Sequence, residues 1–196
     1  MNIPQHIWLV ICWIIFGALH SVLAGDKIKK AAQALMLANF KFYRLCYSVL
    51  AAITLAGILY YHFSISSILL WKVPGTQKII SAVFIIAGIS IMLTCVYRYF
   101  FSLSGVDVFF KKKTPVGLQT DGLNAYMRHP LYTGTLLFVL GFFLWQPLTS
   151  NFISCLCIFL YTITGTLLEE QRLLKLFGDE YKNYTARVPM FIPKFI

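Results

Sequence analysis

Five apolar stretches alternate with short polar connections along the chain. They are Ile7–Ala24, Leu45–Phe63, Ile79–Phe101, Leu131–Trp145 and Phe152–Leu168. A helix needs about 20 apolar residues to cross the hydrocarbon core of a bilayer, and the first three stretches are close to that length. The last two are shorter and only six residues apart, which favours a helical hairpin. The pattern therefore predicts an all-α polytopic membrane protein with about five transmembrane helices and a C-terminal helical hairpin.

Composition supports a membrane protein and excludes an ordinary soluble one. Hydrophobic residues make up 59% of the 196 residues and charged residues only 12%, whereas soluble domains hold about 45–50% and about 25%. The net charge of +10 would suggest nucleic-acid binding in a soluble protein. Here the cations lie between apolar stretches, where they mark cytoplasmic connections. We therefore expect no nucleic-acid partner.

The basic residues also predict the orientation of the chain. Cytoplasmic connections carry the excess of Lys and Arg, and the connections here alternate between rich and poor in these residues. This alternation places the N-terminus outside and a helical tail in the cytoplasm, which suits a bacterial inner membrane. No basic residue precedes the first stretch, so we interpret it as a spanning helix and not a cleaved signal peptide. We expect one integral-membrane domain, 1–196, with cytoplasmic segments at 102–130 and 169–196.

A dense run of chemically useful residues leads into the fourth apolar stretch. A residue before proline avoids the α region, and proline suits the first helical position, so His129 should cap a helix that begins at Pro130. The free N–H groups of that helix end and the fork of Arg128 favour a carboxylate or phosphate ligand. An interfacial loop with a snorkelling Arg128 would account for the same residues equally well.

A second run continues the fifth stretch out of the membrane. Glu169 and Glu170 are adjacent carboxylates at the membrane boundary. They are either solvated charges beside Arg172 and Lys175 or acceptors for the hydroxyls or the cation of a bound cofactor. From the residues alone the first interpretation is favoured. Gly178 indicates a break in the helix.

Other polar residues in or beside the apolar stretches are His20, Arg44 and Arg98. A histidine inside a span is a functional hypothesis by default, but His20 lies near a membrane boundary, where a structural hydrogen bond is favoured. Arg98 either snorkels or faces a site. The four His and few carboxylates have no metal-ligand spacing, so we expect no protein-bound metal.

Together the two polar runs resemble the integral-membrane methyltransferases related to isoprenylcysteine carboxyl methyltransferase. The matching residues, in the family's order and spacing, are Leu118-Gln-Thr-Asp-Gly122, Arg128-His-Pro-Leu-Tyr-Thr-Gly134, Glu169-Glu170 with Leu173, Phe177-Gly-Asp-Glu-Tyr181, Tyr184 and Val188-Pro189. The N-terminal half, with His20-Ser21 and Tyr43-Arg44, is similar to bacterial branches that include methanethiol S-methyltransferase and NnrU-like proteins.

The resemblance implies S-adenosylmethionine as methyl donor, bound from the cytoplasmic side, and a lipophilic or small thiol or carboxyl compound as methyl acceptor. Carried over by position, the cofactor-binding residues are Val116, Gly117, Leu118, Gln119, Asn124, Arg128, His129, Pro130, Tyr132 and Glu169. The residues assigned to the substrate side are His20, Arg44, Arg98 and Glu170. No residue is assigned as a general base, and membrane lipid is the other expected partner.

The chain departs from the family pattern at two positions. Asn124 replaces a tyrosine that contacts the cofactor, and Gly165 replaces an arginine that would meet the substrate carboxylate, which argues against a prenylcysteine substrate. Two alternatives remain: an NADPH-dependent sterol-type reductase and a non-enzymatic NnrU-like membrane protein. The reductase is disfavoured because those enzymes carry Asn where this chain has Leu131, and Lys-Tyr-Gly where it has Leu176-Phe-Gly178.

Overall fold

A computed structural model describes residues 3–104, 106 and 117–194. Within this part of the chain the α-helices are α1 (Ile3–Ala24), α2 (Asp26–Met36), α3 (Tyr43–Ser64), α4 (Gly75–Ser104), α5 (Pro130–Trp145) and α6 (Thr149–Arg187), with 3₁₀ helices at Leu37–Phe42 and Gly122–Ala125. The all-α architecture predicted from the sequence is confirmed. Val116 and the Lys111–Lys113 run lie outside the described residues.

The apolar helices have the length that a bilayer requires. Four helical segments of the described chain are long and apolar enough to cross it: Ile3–Ala24, Asp26–Ser64, Gly75–Arg98 and Thr149–Arg187. The 16 residues of α5 span only about 24 Å, less than the hydrocarbon core of about 30 Å. Ile14, Ile53 and Ile86 are each more than 60% exposed. Exposed apolar side chains of this kind are favourable in contact with lipid and unfavourable in contact with water. The chain is an integral membrane protein.

The described residues fall into two compact units. The first comprises residues 3–68 and 148–157 together with the end of α4, and the second comprises 69–98, 117–147 and 158–194. The helix α6 contributes its first turns to the first unit and the remainder to the second. Each unit has its own packing and its own polar contacts.

In the first unit, α1 and α3 lie antiparallel. Three tyrosines of α3 reach α1 in reverse order: the hydroxyl of Tyr43 donates to the carbonyl of Leu23 at 2.7 Å, Tyr47 bonds the His20 ring at 2.7 Å, and Tyr61 donates to the carbonyl of Gln5 at 3.1 Å. The buried residues of α1 recur at a spacing of three or four and form one face: His6, Leu9, Trp13 and Gly17.

A buried polar network adds the start of α6 to this pair. The Trp13 indole donates to Ser154 Oγ at 2.9 Å, and the His62 ring lies between Ser154 Oγ at 2.9 Å and Asn151 Oδ1 at 2.8 Å. Every nitrogen of these rings is therefore satisfied, as buried polar groups require. The network fixes three helices of the first unit.

In the second unit, glycines allow α4 and α5 to approach closely. A Cβ atom added at Gly88 would lie 2.6 Å from the backbone nitrogen of Phe138 and 2.7 Å from the carbonyl oxygen of Gly134. One added at Gly141 would lie 2.9 Å from the backbone nitrogen of Ile85. Small residues at a helix crossing increase van der Waals contact, which drives helix association in lipid.

The helix α6 is longer than a membrane is thick. Its residues before the break at Gly178, 149–177, extend about 43 Å, and its apolar part ends at Leu168, so Glu169 and the residues after it lie beyond the spanning segment. Gly178 has φ 54° and ψ −124° and interrupts the helix, as the sequence predicts. Since α5 and α6 are joined by three residues, the polar part of α6 returns to the start of α5.

Candidate functional site

The start of α5 has the local geometry that its sequence predicts. His129 has φ −124° and ψ 62°, outside the helical region, and Pro130 occupies the first turn. The backbone nitrogen of Thr133 donates to the carbonyl of His129 at 3.0 Å and so closes that turn. The His129 ring is 7% exposed and stacks on the Tyr132 ring at 5.6 Å with an angle of 14° between their planes.

Glu170 is the centre of a partly buried hydrogen-bond network. Arg128 donates to both of its oxygens, from Nε at 2.8 Å and from Nη2 at 2.9 Å. The His129 ring nitrogen Nε2 lies 2.7 Å from Oε1, and the Tyr181 hydroxyl donates to the same oxygen at 2.6 Å. The side chains of Arg128 and Glu170 are only 9% and 17% exposed. A bidentate pair of this kind is among the strongest polar contacts in proteins.

The network keeps Glu170 ionised. Burial alone would raise the pKa of its carboxyl, but the hydrogen bonds from Arg128, Tyr181 and His129 outweigh burial, and the net pKa lies below the ordinary value. Burial and the neighbouring carboxylate raise the pKa of the Tyr181 phenol. Tyr181 therefore stays protonated and keeps donating its hydrogen bond.

The residues after α6 form a strap along the entry to α5. The backbone nitrogens of Arg128 and His129 donate to the carbonyls of Pro189 at 2.9 Å and Met190 at 3.1 Å. The Arg128 Nη1 atom donates to the carbonyl of Val188 at 2.6 Å. Thr133 Oγ1 donates to the carbonyl of Phe191 at 3.0 Å. Arg128 is thus committed to Glu170 and to this strap.

Glu169 is placed differently from its neighbour. Its side chain is 42% exposed. Its Oε2 atom accepts a hydrogen bond from the Tyr132 hydroxyl at 2.9 Å and lies 3.8 Å from His129 Nδ1. Glu169 therefore offers an ionisable acceptor beside His129 and Tyr132.

The segment 117–124 supplies a second acceptor. Asn124 Nδ2 donates to the carbonyl of Gln119 at 3.0 Å, and the Tyr184 hydroxyl donates to the carbonyl of Asn124 at 2.6 Å. The side-chain oxygen of Asn124 is buried and lacks a partner in the described chain. Gly117 has φ 130°, which favours glycine, and Leu118 packs against Tyr181 and Tyr184.

Three further predicted residues have contacts of their own. Arg98 forms an ion pair with Asp121 in the second unit. His20 and Arg44 belong to the first unit, where His20 bonds Tyr47 and Arg44 is exposed. No group of three His, Cys, Asp or Glu side chains that could hold a metal occurs in the part of the chain that the structure describes.

Sequence reasoning did not predict the role of Tyr181 and Tyr184. Both tyrosines belong to the motif that carries the resemblance, and they form a buried cluster with Val188, against which Leu173 and Phe177 pack. The hydroxyls, however, bond Glu170 and the Asn124 carbonyl. In a continuous helix eleven residues would separate Glu170 and Tyr181 by about 16 Å, so their contact requires the break at Gly178, and that glycine is the signal that could have suggested it.

Comparison with known proteins agrees with the resemblance read from the motifs. The chain is 27% identical over 187 residues to methanethiol S-methyltransferase 1 of Bradyrhizobium diazoefficiens, covering 91% of this chain and 64% of that protein. It is 27% identical over 187 residues to methanethiol S-methyltransferase of Crocosphaera subtropica, covering 91% of this chain and 71% of the relative. It is also 40% identical over 80 residues to protein-S-isoprenylcysteine O-methyltransferase of Schizosaccharomyces pombe, covering 39% of this chain and 33% of that protein.

The chain thus spans somewhat less than two thirds of the length of the Bradyrhizobium relative. No solved structure matches it significantly. A family model described as NnrU protein matches residues 8–193. Since that match covers nearly the whole sequence, the chain belongs to the NnrU family.

Proposed function

We propose that the protein transfers a methyl group from S-adenosylmethionine to a small thiol at the membrane. The observation that carries the proposal is Glu169, a carboxylate that is 42% exposed and lies beside the stacked rings of His129 and Tyr132. Relatives named as methanethiol S-methyltransferases match along 91% of the chain, whereas the isoprenylcysteine enzyme matches along 39%.

The residues present fit S-adenosylmethionine. This cofactor carries hydrogen-bond donors on its ribose, amino group and adenine, together with a sulfonium cation. The carboxylate of Glu169 is an exposed acceptor, and the buried Asn124 Oδ1 is an acceptor that lacks a partner in the described chain. Gly117 to Gln119 would supply backbone groups. The cofactor, when bound, would supply a methyl carbon that bonds to the acceptor sulfur as its bond to the sulfonium breaks and a neutral thioether leaves.

The chain's own residues would act mainly by positioning. Glu169 would bind a donor group and help to balance the positive charge. Glu170, Arg128 and Tyr181 would hold His129, Tyr132 and the strap in place, because they connect α6, the entry to α5 and residues 188–190. Alignment and exclusion of water are the main requirements of a methyl displacement.

One departure from the family pattern supports a neutral thiol as the methyl acceptor. At Gly165, where the resemblance implies an arginine for a substrate carboxylate, an added Cβ would have nothing within 4 Å. The chain therefore offers no cation for a carboxylate at this position. A small neutral thiol needs none.

We further propose that the connections 102–130 and 169–196 face the cytoplasm of a bacterial inner membrane, since they hold much of the Lys and Arg of the chain, including Lys111–Lys113 and Arg128 in the first. A soluble cytosolic cofactor would then reach Glu169 directly.

Calorimetry on the purified protein tests the cofactor assignment. We expect saturable binding of S-adenosylhomocysteine and none of NADPH. Glu169→Gln should weaken binding, whereas Glu180→Gln, an exposed carboxylate on the same helix, should not. Binding of NADPH alone would support a reductase, and binding of neither by folded protein would support a non-enzymatic role; either result would overturn the proposal.

A further inference from the structure

The connection between α1 and α3 contains a helix that the described part of the chain leaves accessible. The helix α2 has 11 residues and no buried side chain. Ile28, Ala31 and Leu35 lie within about 60° of one another around the helix axis, since successive residues turn about 100°. Asp26, Lys30 and Gln33 occupy the opposite face. The helix is therefore amphipathic.

Its apolar face is open. Leu35 is 84% exposed, Leu37 in the following turn is 75% exposed, and Ile28 is 37% exposed. Exposed apolar side chains that repeat along one helix face indicate a surface covered by something outside the chain.

The charges of this connection indicate which molecule covers the apolar face of α2. Residues 26–44 contain one acidic residue, Asp26, and five basic residues: Lys27, Lys29, Lys30, Lys41 and Arg44. Because α1 and α3 are antiparallel apolar helices joined by this connection, it must lie at one surface of the membrane. A short helix with an apolar face and a basic face at that depth suits the boundary between acyl chains and anionic headgroups.

We propose that α2 lies in the membrane interface and binds anionic phospholipid headgroups, with Ile28 and Leu35 in the acyl region and Lys27 and Lys30 at the phosphates. This surface is independent of the cofactor site. It anchors the connection between the first two spans and enriches anionic lipid around it.

The test uses the full chain in nanodiscs with an environment-sensitive fluorophore on Leu35→Cys, after replacement of the native cysteines. Quenching by brominated phosphatidylglycerol in a phosphatidylcholine background is compared with quenching by brominated phosphatidylcholine in a phosphatidylglycerol background. We expect a blue-shifted probe and stronger quenching by the anionic lipid. The same probe on Gln33→Cys, on the opposite face, should be quenched less.

Removal of positive charge from α2 tests the headgroup contact, and removal of two lysines elsewhere is the matched control. Lys27→Gln with Lys30→Gln should lower the preference for the anionic lipid by up to about fivefold per lysine. Lys72→Gln with Lys78→Gln should leave it unchanged, since these exposed lysines lie just before α4 and in its first turn. A water-exposed probe, a buried probe that neither lipid quenches because protein covers it, or equal quenching by the two lipids would each overturn the proposal.

Discussion

At the residue scale, two adjacent glutamates have different surroundings. Glu170 receives hydrogen bonds from Arg128, His129 and Tyr181 and is mostly buried, whereas Glu169 is 42% exposed and accepts a hydrogen bond from Tyr132. The first is positioned to hold the structure together and the second to meet a ligand. Substitution at each should therefore change a different property.

Replacement of Glu169 should change cofactor affinity. A charged acceptor contributes about 1.5–3 kcal/mol to a hydrogen bond, and the exposure of Glu169 favours the lower end, so we expect Glu169→Gln to weaken S-adenosylhomocysteine binding about tenfold. Calorimetry measures the affinity, and the melting temperature should stay near that of the wild type. Wild-type affinity in a stable Glu169→Gln protein would show that the site is misplaced.

Replacement of Glu170 should change stability. Glu170→Gln removes the counter-charge of Arg128, and an uncompensated, largely buried guanidinium costs about 3–5 kcal/mol. The free energy of unfolding in detergent is the quantity to measure, with Glu180→Gln as the control that should not alter it. Equal stability of the Glu170 and Glu180 variants would contradict this role.

The same network should make the stability of the folded protein depend on pH. The pKa of Glu170 is lower in the folded protein than in the unfolded chain, so its stabilisation is complete above the unfolded pKa and is lost as the pH falls through the folded pKa. Wild-type stability should decline on the acidic side of the ordinary carboxyl range. The Glu170→Gln protein should show a smaller decline.

At the element scale, the contact between α4 and α5 depends on glycine. A Cβ at position 88 meets backbone atoms of α5 at 2.6 Å and 2.7 Å, so Gly88→Ala must separate the helices and should cost about 1–3 kcal/mol. The matched control is Gly57→Ala in α3, where an added Cβ has nothing within 4 Å and alanine favours the helix. Thermal unfolding of both variants is the measurement, and equal melting temperatures would refute the close contact.

Hydropathy and turn chemistry predicted most of the elements. Each predicted apolar stretch lies within one helix, and both the start at Pro130 and the break at Gly178 follow from local rules. From its lysines alone, α2 is predicted to be a basic connection. The seven-residue spacing of Ile28 and Leu35, which places both on one face of a helix, is the signal that this prediction leaves out.

The tertiary contacts of the site were less predictable. Successive helix positions differ by about 100°, which suggested that one glutamate of the pair would face the site. Both carboxylates nevertheless lie within 4 Å of the His129 ring, because a glutamate side chain is long enough to reach around the helix. The strap at 188–191 depends on backbone pairing between distant segments, which has no local pattern.

At the scale of the whole molecule, the distribution of cations predicts the topology. With the native cysteines replaced, Thr120→Cys should react with a membrane-impermeant reagent only from the cytoplasmic side. Lys72→Cys should react only from the outside. Both positions are exposed, so reagent access is set by the membrane, and the reverse pattern would refute the orientation.

The central claim is methyl transfer to a small thiol, and product formation tests it most directly. Purified, reconstituted protein is incubated with methyl-labelled S-adenosylmethionine and, separately, methanethiol, a farnesylated cysteine and phospholipid. We predict labelled dimethyl sulfide from methanethiol, less product with Glu169→Gln, and undiminished product with Glu180→Gln. A protein that binds the cofactor but labels only the farnesylated cysteine or lipid, or labels no acceptor, would contradict the account.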